Sequence, residues 1–389
     1  MYYLITLPLI SITVYYIYRF LKTPTITINY KQNNLPIQKD YYKGWYCLGN
    51  SNQLKVKEIK QFKLFDQEIV LYRGVNNVIY ALESRCKHLG ANLINGCVID
   101  NKIQCGFHGW KYNGDGTLIT KEVTIEYEPN NDIYIEKVCK LQNYLTIEIN
   151  NLIYLWFGLD TPDWYPPEIK QLEQWSYRGS SDINVNASLI DIVNNGVDVV
   201  HFKYVHTDVL PLNKYFPFHW RIFWKILWKP KCDLKLEDVN ENLQHYIKNF
   251  DSIPDQYIST LLIYNKLNFL GWSLPMDMFI FQVGPGLTYL FFNSFLGTGM
   301  YLQQFNPIDN YCKIRNYIYT QPSTSVFSSF ILLLVDVIQL SRDAKIWNNK
   351  QPSSINTKLF LKKNKLDLDN ILWWKWFRQF YFKMPTLDF

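Results

Sequence analysis

Residues 84–116 read SRCKHLGANLINGCVIDNKIQCGFHGWKYNGDG, with Cys86 and His88 as C-x-H and, after sixteen intervening residues, Cys105 and His108 as C-x-x-H. Each half offers one thiolate and one imidazole from a tight turn. Two such loops can clamp a two-iron cluster from one side, both Cys on one iron and both His on the other. Imidazole is neutral where thiolate is anionic, so this donor set raises the cluster potential over a four-Cys site. Gly90, Gly106 and Gly109 let the loops bend closely around the sulfides. Zinc is the rival occupant, although structural zinc sites usually pair Cys with Cys and His with His. Chance is the bland alternative; the chain has 7 Cys and 6 His, and four of them falling within 23 positions argues against it.

A second constellation follows in residues 191–206, DIVNNGVDVVHFKYVH, where Asp198, His201 and His206 form D-x-x-H-x-x-x-x-H. The spacing predicts a helix over 191–206 with Asp198 and His201 on one face. His206 is five residues past His201, too far round for that face, and is placed just beyond the helix end. Two His and one carboxylate on one side of a metal make the facial triad of non-haem Fe(II) sites, which leaves positions open for O2. The H-E-x-x-H zinc proteases are the rival, but the Glu and the spacing are missing. The carboxylate must come from elsewhere in the chain, and Asp336 and Asp343 are the candidates.

Around these motifs the chain divides by pattern. The 389 residues are 48% hydrophobic and 19% charged, which excludes a disordered chain and allows two or three domains. Residues 44–158 carry short alternating runs such as QEIVLY (67–72), NVIYAL (77–82) and those at 145–149 and 153–157, broken by Gly, Asn and Asp turns. That pattern predicts a small all-β domain. After the Pro-rich break DTPDWYPP (160–167) the character changes: a strand over 182–189, the helix over 191–206, a β-rich stretch over 219–320 and a long helix over 325–350. For 216–230 a strand of this sheet is the reading, with a membrane-facing segment as the alternative. The fold class is α+β: an all-β domain, then a catalytic domain (159–389) with an antiparallel sheet gripped by helices. The net charge of +6 is spread in short Lys clusters with no nucleic-acid module, so a nucleic-acid partner is not expected. An acidic membrane surface or redox partner stays open. The odd Cys count does not suggest a secreted disulfide framework, and Cys97, between the boxes, reads as an ordinary thiol.

Residues 2–18 (YYLITLPLISITVYYIY) are free of charge. As a helix they would reach roughly 26 Å, enough for a thin bilayer. No Lys or Arg precedes them and no small-residue cleavage site follows, which favours an anchor over a cleaved signal. Arg19 and Lys22 after the segment would leave the bulk of the chain in the cytosol. The expected layout is therefore an anchor over 1–22, a linker over 23–43 and the all-β domain over 44–158.

CKHLGA (86–91) and CGFHGW (105–110) resemble the two boxes of Rieske [2Fe–2S] proteins, and the chain is identified as a member of the Rieske non-haem iron oxygenases. Respiratory Rieske proteins carry a second Cys in each box; Ala91 and Phe107 stand there, as in the oxygenase branch. FQVGPGLTYLFF (281–292), RDAKIWNNK (342–350) and KWFRQFYF (375–382) are most similar to the Neverland-type cholesterol 7-desaturases, membrane-anchored relatives of bacterial steroid hydroxylases. The resemblance implies a sterol desaturase of cholesterol metabolism and steroid biosynthesis. Its cofactors are a Rieske cluster on Cys86, His88, Cys105 and His108 and a mononuclear Fe(2+) on His201, His206 and Asp343, the D-x-x-I-W pattern selecting Asp343 over Asp336. It gives Asp198 a catalytic role as the bridge between metal centres of neighbouring subunits, in a ring that is commonly a homotrimer. It implies O2 and electrons from NAD(P)H through a separate reductase, since no GxGxxG fingerprint occurs in this chain. It places the protein as a single-pass membrane protein, with the endoplasmic reticulum inferred from anchor and lipid. Asn194 stands where the family commonly has an acidic residue, and Arg342 where it commonly has an acidic or amide one. A Rieske monooxygenase or demethylase on another steroid, lipid or pigment, and a pure electron carrier, are the alternatives.

Overall fold

A computed structural model describes residues 23–30, 40–119, 139–198, 200–206, 221–269, 272–309, 311–351, 353 and 368–383. The first domain is all-β. Ile59–Leu64, Gln67–Arg73, Ile79–Glu83 and Asn143–Tyr144 form one antiparallel sheet. Gly44–Asn50, Leu152–Phe157 and Thr146–Ile149 form a second. Asn150 and Asn151 both take positive φ (56° and 60°), the two-residue turn that matches strand twist in a hairpin. A third small sheet, Cys97–Ile99, Lys102–Gln104 and Lys111–Tyr112, rises from this base and carries the two Cys–His loops. Its own core is Val70, Tyr72, Leu82, Leu93, Ile103 and Tyr112.

The second domain is built on an eight-stranded sheet. Its order is Thr25–Asn29, Ser176–Val185, Tyr311–Thr320, Gly297–Ile308, Leu287–Ser294, Trp272–Val283, Ile258–Phe269 and Arg221–Pro230. All pairs are antiparallel except the first. The long helix Val326–Trp347 lies across one face, its start capped by the Ser325 side chain accepting from the Ser328 amide. Leu332, Leu333, Val337, Ala344 and Trp347 are its buried side. The C-terminal helix Leu368–Phe377 is pinned to the sheet by Trp373 Nε1 donating to Gln282 Oε1 at 3.0 Å, and Tyr381–Phe382 pairs with Tyr41–Tyr42.

Several expectations need correction. Thr25–Asn29, read as linker, is an edge strand of the catalytic sheet paired in parallel with Ser180–Asn184. Its alternation TITIN, half-buried at Ile26 and Ile28 and exposed between, is a period-two pattern. The strand over 182–189 runs instead over Ser176–Val185, and Ser188 caps a helix at Leu189. The single helix over 191–206 is broken into Leu189–Val193, a 3-10 turn Asn194–Val197 and a short helix Phe202–Val205. Asn194, Asn195 and Gly196 are poor helix formers. The Asp198 carbonyl is also taken by the His201 ring, so it does not serve the helix. In 216–230, Arg221–Pro230 is a strand at the sheet edge, and the residues before it lie outside the described ones. The anchor over 1–22 also lies outside them; among the described residues no helix is long and apolar enough to cross a membrane.

Candidate metal centres

The two Cys–His loops are built alike. The Gly90 amide donates to the Cys86 carbonyl at 2.9 Å, and the Gly109 amide to the Cys105 carbonyl at 3.1 Å. Both glycines close the loop in the left-handed region, at φ 71° and 75°, where a side chain would be strained. The loops put Cys86 and Cys105 on a buried floor and His88 and His108 at an exposed rim. The imidazole centroids are 4.6 Å apart, and His88 stacks on Trp110 at 4.6 Å. Burial pushes the Cys86 thiol up; the Tyr112 hydroxyl, 3.2 Å from Cys86 Sγ, opposes that, and the neighbouring Cys105 adds to it. A buried thiol pair of this kind is made anionic by binding a cation. Thiolates inside and imidazoles outside are the division a cluster with one Cys-held and one His-held iron needs. The four residues fit the group.

About eighty residues beyond the second loop, the broken segment 189–206 and the long helix bring His201, His206 and Asp343 together, their ligand atoms all within 4.8 Å of one another. His206 Nε2 is 3.1 Å and His201 Nε2 3.8 Å from Asp343 Oδ1. All three are at least nine-tenths buried at the side chain. The other ring nitrogens are spoken for. His201 Nδ1 is hydrogen-bonded to the Asp198 carbonyl, and His206 Nδ1 to Gln339 Oε1 at 2.8 Å. Those bonds assign the proton to Nδ1 and aim both Nε2 lone pairs at one point beside the carboxylate. Burial holds the His201 imidazole below its ordinary value, with the Asp343 charge opposing, which keeps the ring in the neutral, ligating form. Two imidazoles and a carboxylate on one side fit a mononuclear Fe(II).

Asp336, the other carboxylate candidate, sits apart: its Oδ2 accepts from Asn316 Nδ2 at 2.7 Å. Asp198 touches the His201 ring through its backbone carbonyl, while its Oδ1 accepts from the His201 amide at 3.4 Å. Cys97 is exposed. Gln339 and Asn195 were not read from the sequence as site residues. Asn195 Nδ2 lies 3.1 Å from His201 Nε2, and Gln339 also accepts from Arg342 Nη1 at 3.3 Å. The available signal was position: Gln339 is four residues before Asp343, one turn away on the same helix face. The Arg342 departure has a place here, since its guanidinium braces Gln339 and reaches the Val205 carbonyl at 3.4 Å. Asn194 donates to Asn370 Oδ1 at 3.1 Å, tying the ligand segment to the C-terminal helix.

A cavity of about 470 Å³ opens beside the triad. Its walls are largely apolar, including Ile192, Met278, Leu290, Phe305, Leu332 and Leu340. It follows the long helix from Ile331 to Trp347, a run of about 24 Å at 1.5 Å per residue.

Residues 44–127 match the Rieske [2Fe-2S] domain family, and residues 156–241 match the 3-ketosteroid 9alpha-hydroxylase C-terminal domain family. Cholesterol 7-desaturase nvd of Xenopus laevis is 26% identical over 355 residues, covering 88% of this chain and 72% of that protein. Cholesterol 7-desaturase of Caenorhabditis elegans is 28% identical over 352 residues, covering 87% and 76%. Among solved structures, dicamba monooxygenase bound to 3,6-dichlorosalicylic acid superposes with a TM-score of 0.56 at 15% identity, covering 87% of this chain and 96% of that one. That likeness is one of fold.

Proposed function

We propose, from the chain's membership of the Rieske non-haem iron oxygenases, that it desaturates a sterol, cholesterol to 7-dehydrocholesterol being the conversion its relatives' names favour. The observation that carries this reading is the apolar cavity of about 470 Å³ that the His201–His206–Asp343 face lines. A volume of that size suits one small apolar ligand with few polar groups. When bound, the cluster supplies single electrons and the mononuclear iron supplies reductive activation of O2. The overall reaction balances when two hydrogens leave adjacent ring carbons and O2 becomes two waters. Two of the four electrons then come from the sterol and two from NAD(P)H, through a separate reductase.

The chain's own residues do three things. His201, His206 and Asp343 hold the metal from one side, and the Asp198 and Gln339 oxygens fix both ring tautomers for it. The apolar walls exclude water and leave the flat ring system to lie along the helix. Cys86 and Cys105, with the Tyr112 hydroxyl beside them, would hold the electron-delivering group on the buried side, and His88 and His108 would hold it at the exposed rim. That exposed rim suits delivery to a neighbouring subunit, with Asp198 next to His201 on the receiving side, in a homotrimer. Residues 2–18 would anchor the protein in the endoplasmic reticulum with its catalytic domains in the cytosol, close to a membrane-dissolved substrate.

The test is to load the purified protein with iron and sulfide, supply a Rieske-type reductase, NADH and cholesterol, and analyse the sterols. A conjugated 5,7-diene supports desaturation. An alcohol as the sole product moves the reading to hydroxylation of the same substrate, and unchanged sterol with intact metal centres refutes it.

A further inference from the structure

The cavity is apolar along most of its walls, and four of its polar lining residues, Gln303, Thr288, Gln282 and Ser259, belong to one row that Asn316 and Ser181 continue beyond it. Neighbouring strands place Ser181, Asn316, Gln303, Thr288, Gln282 and Ser259 in a single register row across the sheet. The next row towards the long helix's start is Leu261, Ile280, Leu290, Tyr301 and Ile318. In the other direction Phe305, Ile314 and Ile183 stand in register. A polar row between two apolar ones is costly to bury unless something polar meets it. Part of it is unmet: Gln282 Nε2, Asn316 Oδ1 and Ser181 Oγ are buried without a hydrogen-bond partner. Gln282 itself lines the cavity.

Above this row stands Asp336. It belongs to the cavity-facing stripe of the long helix with Leu332, Gln339, Leu340, Asp343 and Trp347. Two polar members of that stripe serve the metal site, Asp343 as ligand candidate and Gln339 as the partner of His206. The Tyr301 hydroxyl, which faces the same region, is committed to the Leu332 carbonyl at 3.0 Å. Asp336 has no such duty. Asn316 donates to one of its oxygens, which fixes the side chain, and a carboxylate has acceptor sites to spare. It lies seven residues before Asp343, two turns and so on the same face, about 10 Å along the axis. In a sterol, the ring that carries the hydroxyl adjoins the ring to be dehydrogenated. A hydroxyl anchored at Asp336 would thus set the neighbouring ring against the metal face.

Resting on the sterol reading above, we propose that Asp336, held by Asn316, accepts a hydrogen bond from the substrate's 3-hydroxyl group and thereby sets both substrate selection and the carbon presented to the metal. An ionised carboxylate accepts from a hydroxyl, has nothing to offer a ketone, and is left without its partner by a 3-deoxy analogue. The burial that pushes Asp336 up to about 6 still leaves it ionised at pH 8, where the comparison is made.

The experiment compares cholesterol, its 3-keto form and its 3-deoxy analogue with iron-loaded wild type, Asp336→Asn and Asp336→Leu at pH 8, scoring product, KM and kcat separately, and product formed per O2 consumed. Iron content and the Rieske electron paramagnetic resonance signal are controls for folding. Wild type should favour cholesterol over the 3-deoxy analogue by roughly 10- to 100-fold in kcat/KM, the range for a hydrogen bond to a charged group. Asp336→Leu should erase that preference and uncouple O2 use from product. Asp336→Asn brings an amide N–H and should shift preference towards the ketone, a change that a merely structural residue would not produce. Should Asp336→Leu not fold, the Asn variant alone decides. Wild type that desaturates all three equally, or variants that keep its preference, would overturn the anchor while leaving the sterol reading in place. Wild type that converts none of the three with metals intact overturns both.

Discussion

Replacing Gln339 with Leu removes the acceptor that fixes His206, and the size of the effect can be worked out. His206 Nδ1 is 2.8 Å from Gln339 Oε1 and the ring is almost wholly buried. With iron on Nε2, the proton must sit on Nδ1, and in the Leu variant that N–H faces an apolar group. A buried donor without its partner costs about 1–3 kcal/mol. The metal-free ring can escape part of this by moving its proton to Nε2, where the Asp343 carboxylate 3.1 Å away accepts it. Only the iron-bound state therefore carries the full cost. The affinity loss should be roughly 10- to 100-fold, as is typical when a ligand's supporting hydrogen bond is removed. The assay is Fe(II) titration against a chelator of known strength, with the Rieske signal monitored as an internal control some distance away. An iron dissociation constant within twofold of wild type would refute the tautomer argument.

Four further outcomes follow from the same geometry. Asp343→Asn should abolish mononuclear iron binding while the cluster signal persists, giving two irons per chain in place of three; Asp336→Asn should keep all three. Tyr112→Phe deletes the hydroxyl beside Cys86 and should lower the cluster potential by roughly 20–60 mV, the equivalent of one hydrogen bond of about 0.5–1.5 kcal/mol, read by redox titration. Asp182 is buried, which raises its pKa, but Arg315 and Lys313 more than offset this and hold it below its ordinary value. Its folded pKa is depressed, so its stabilisation is present above the unfolded value near 4 and is lost as pH falls through the folded one; Asp182→Asn should flatten the acid limb of a pH–stability curve. Asp198→Asn keeps the backbone carbonyl that orients His201, so both metals should stay bound, and a loss of turnover would locate the effect in electron transfer to His201.

How much of this was legible in the sequence depends on whether a feature is local. The Cys–His loops were readable because each ligand pair is set by a turn of five residues whose glycine needs left-handed φ, and such turns announce themselves in composition. The long helix was readable from its period. The segment around Asp198 was not. Its apolar spacing suits a continuous helix, but the fold takes the Asp198 carbonyl for the His201 ring and turns the chain at Asn194–Val197. Ring-to-carbonyl competition of that kind leaves no periodic trace. Thr25–Asn29 was missed for a different reason. Its alternation was visible, but its partner, Ser176–Val185, lies some 150 residues away, and pairing at that distance is decided by tertiary packing. Gln339 and the polar row under the cavity are likewise products of register, since Ser259, Gln282, Thr288 and Gln303 come from four strands.

Asp336, above that row, bears on stability as well as selection. Burial raises Asp336 to about 6, which means the folded protein prefers it protonated and its charge costs stability at neutral pH. For a carboxyl with a raised folded pKa, the penalty is absent below the unfolded value near 4, grows between there and 6, and is complete above, at up to about 3 kcal/mol. Asp336→Asn, which keeps an acceptor for Asn316, should therefore be more stable than wild type at pH 8 and equal to it at pH 4, as thermal unfolding of the metal-loaded protein would show. A variant that is more stable and less selective is what a functional buried charge predicts, because stability given up at a site is a common companion of function there. If Asp336→Asn is instead less stable at pH 8, the carboxylate belongs to the scaffold through Asn316, and the cavity's polar level has to be sought at Gln282 and Ser259, at the other end of the same row.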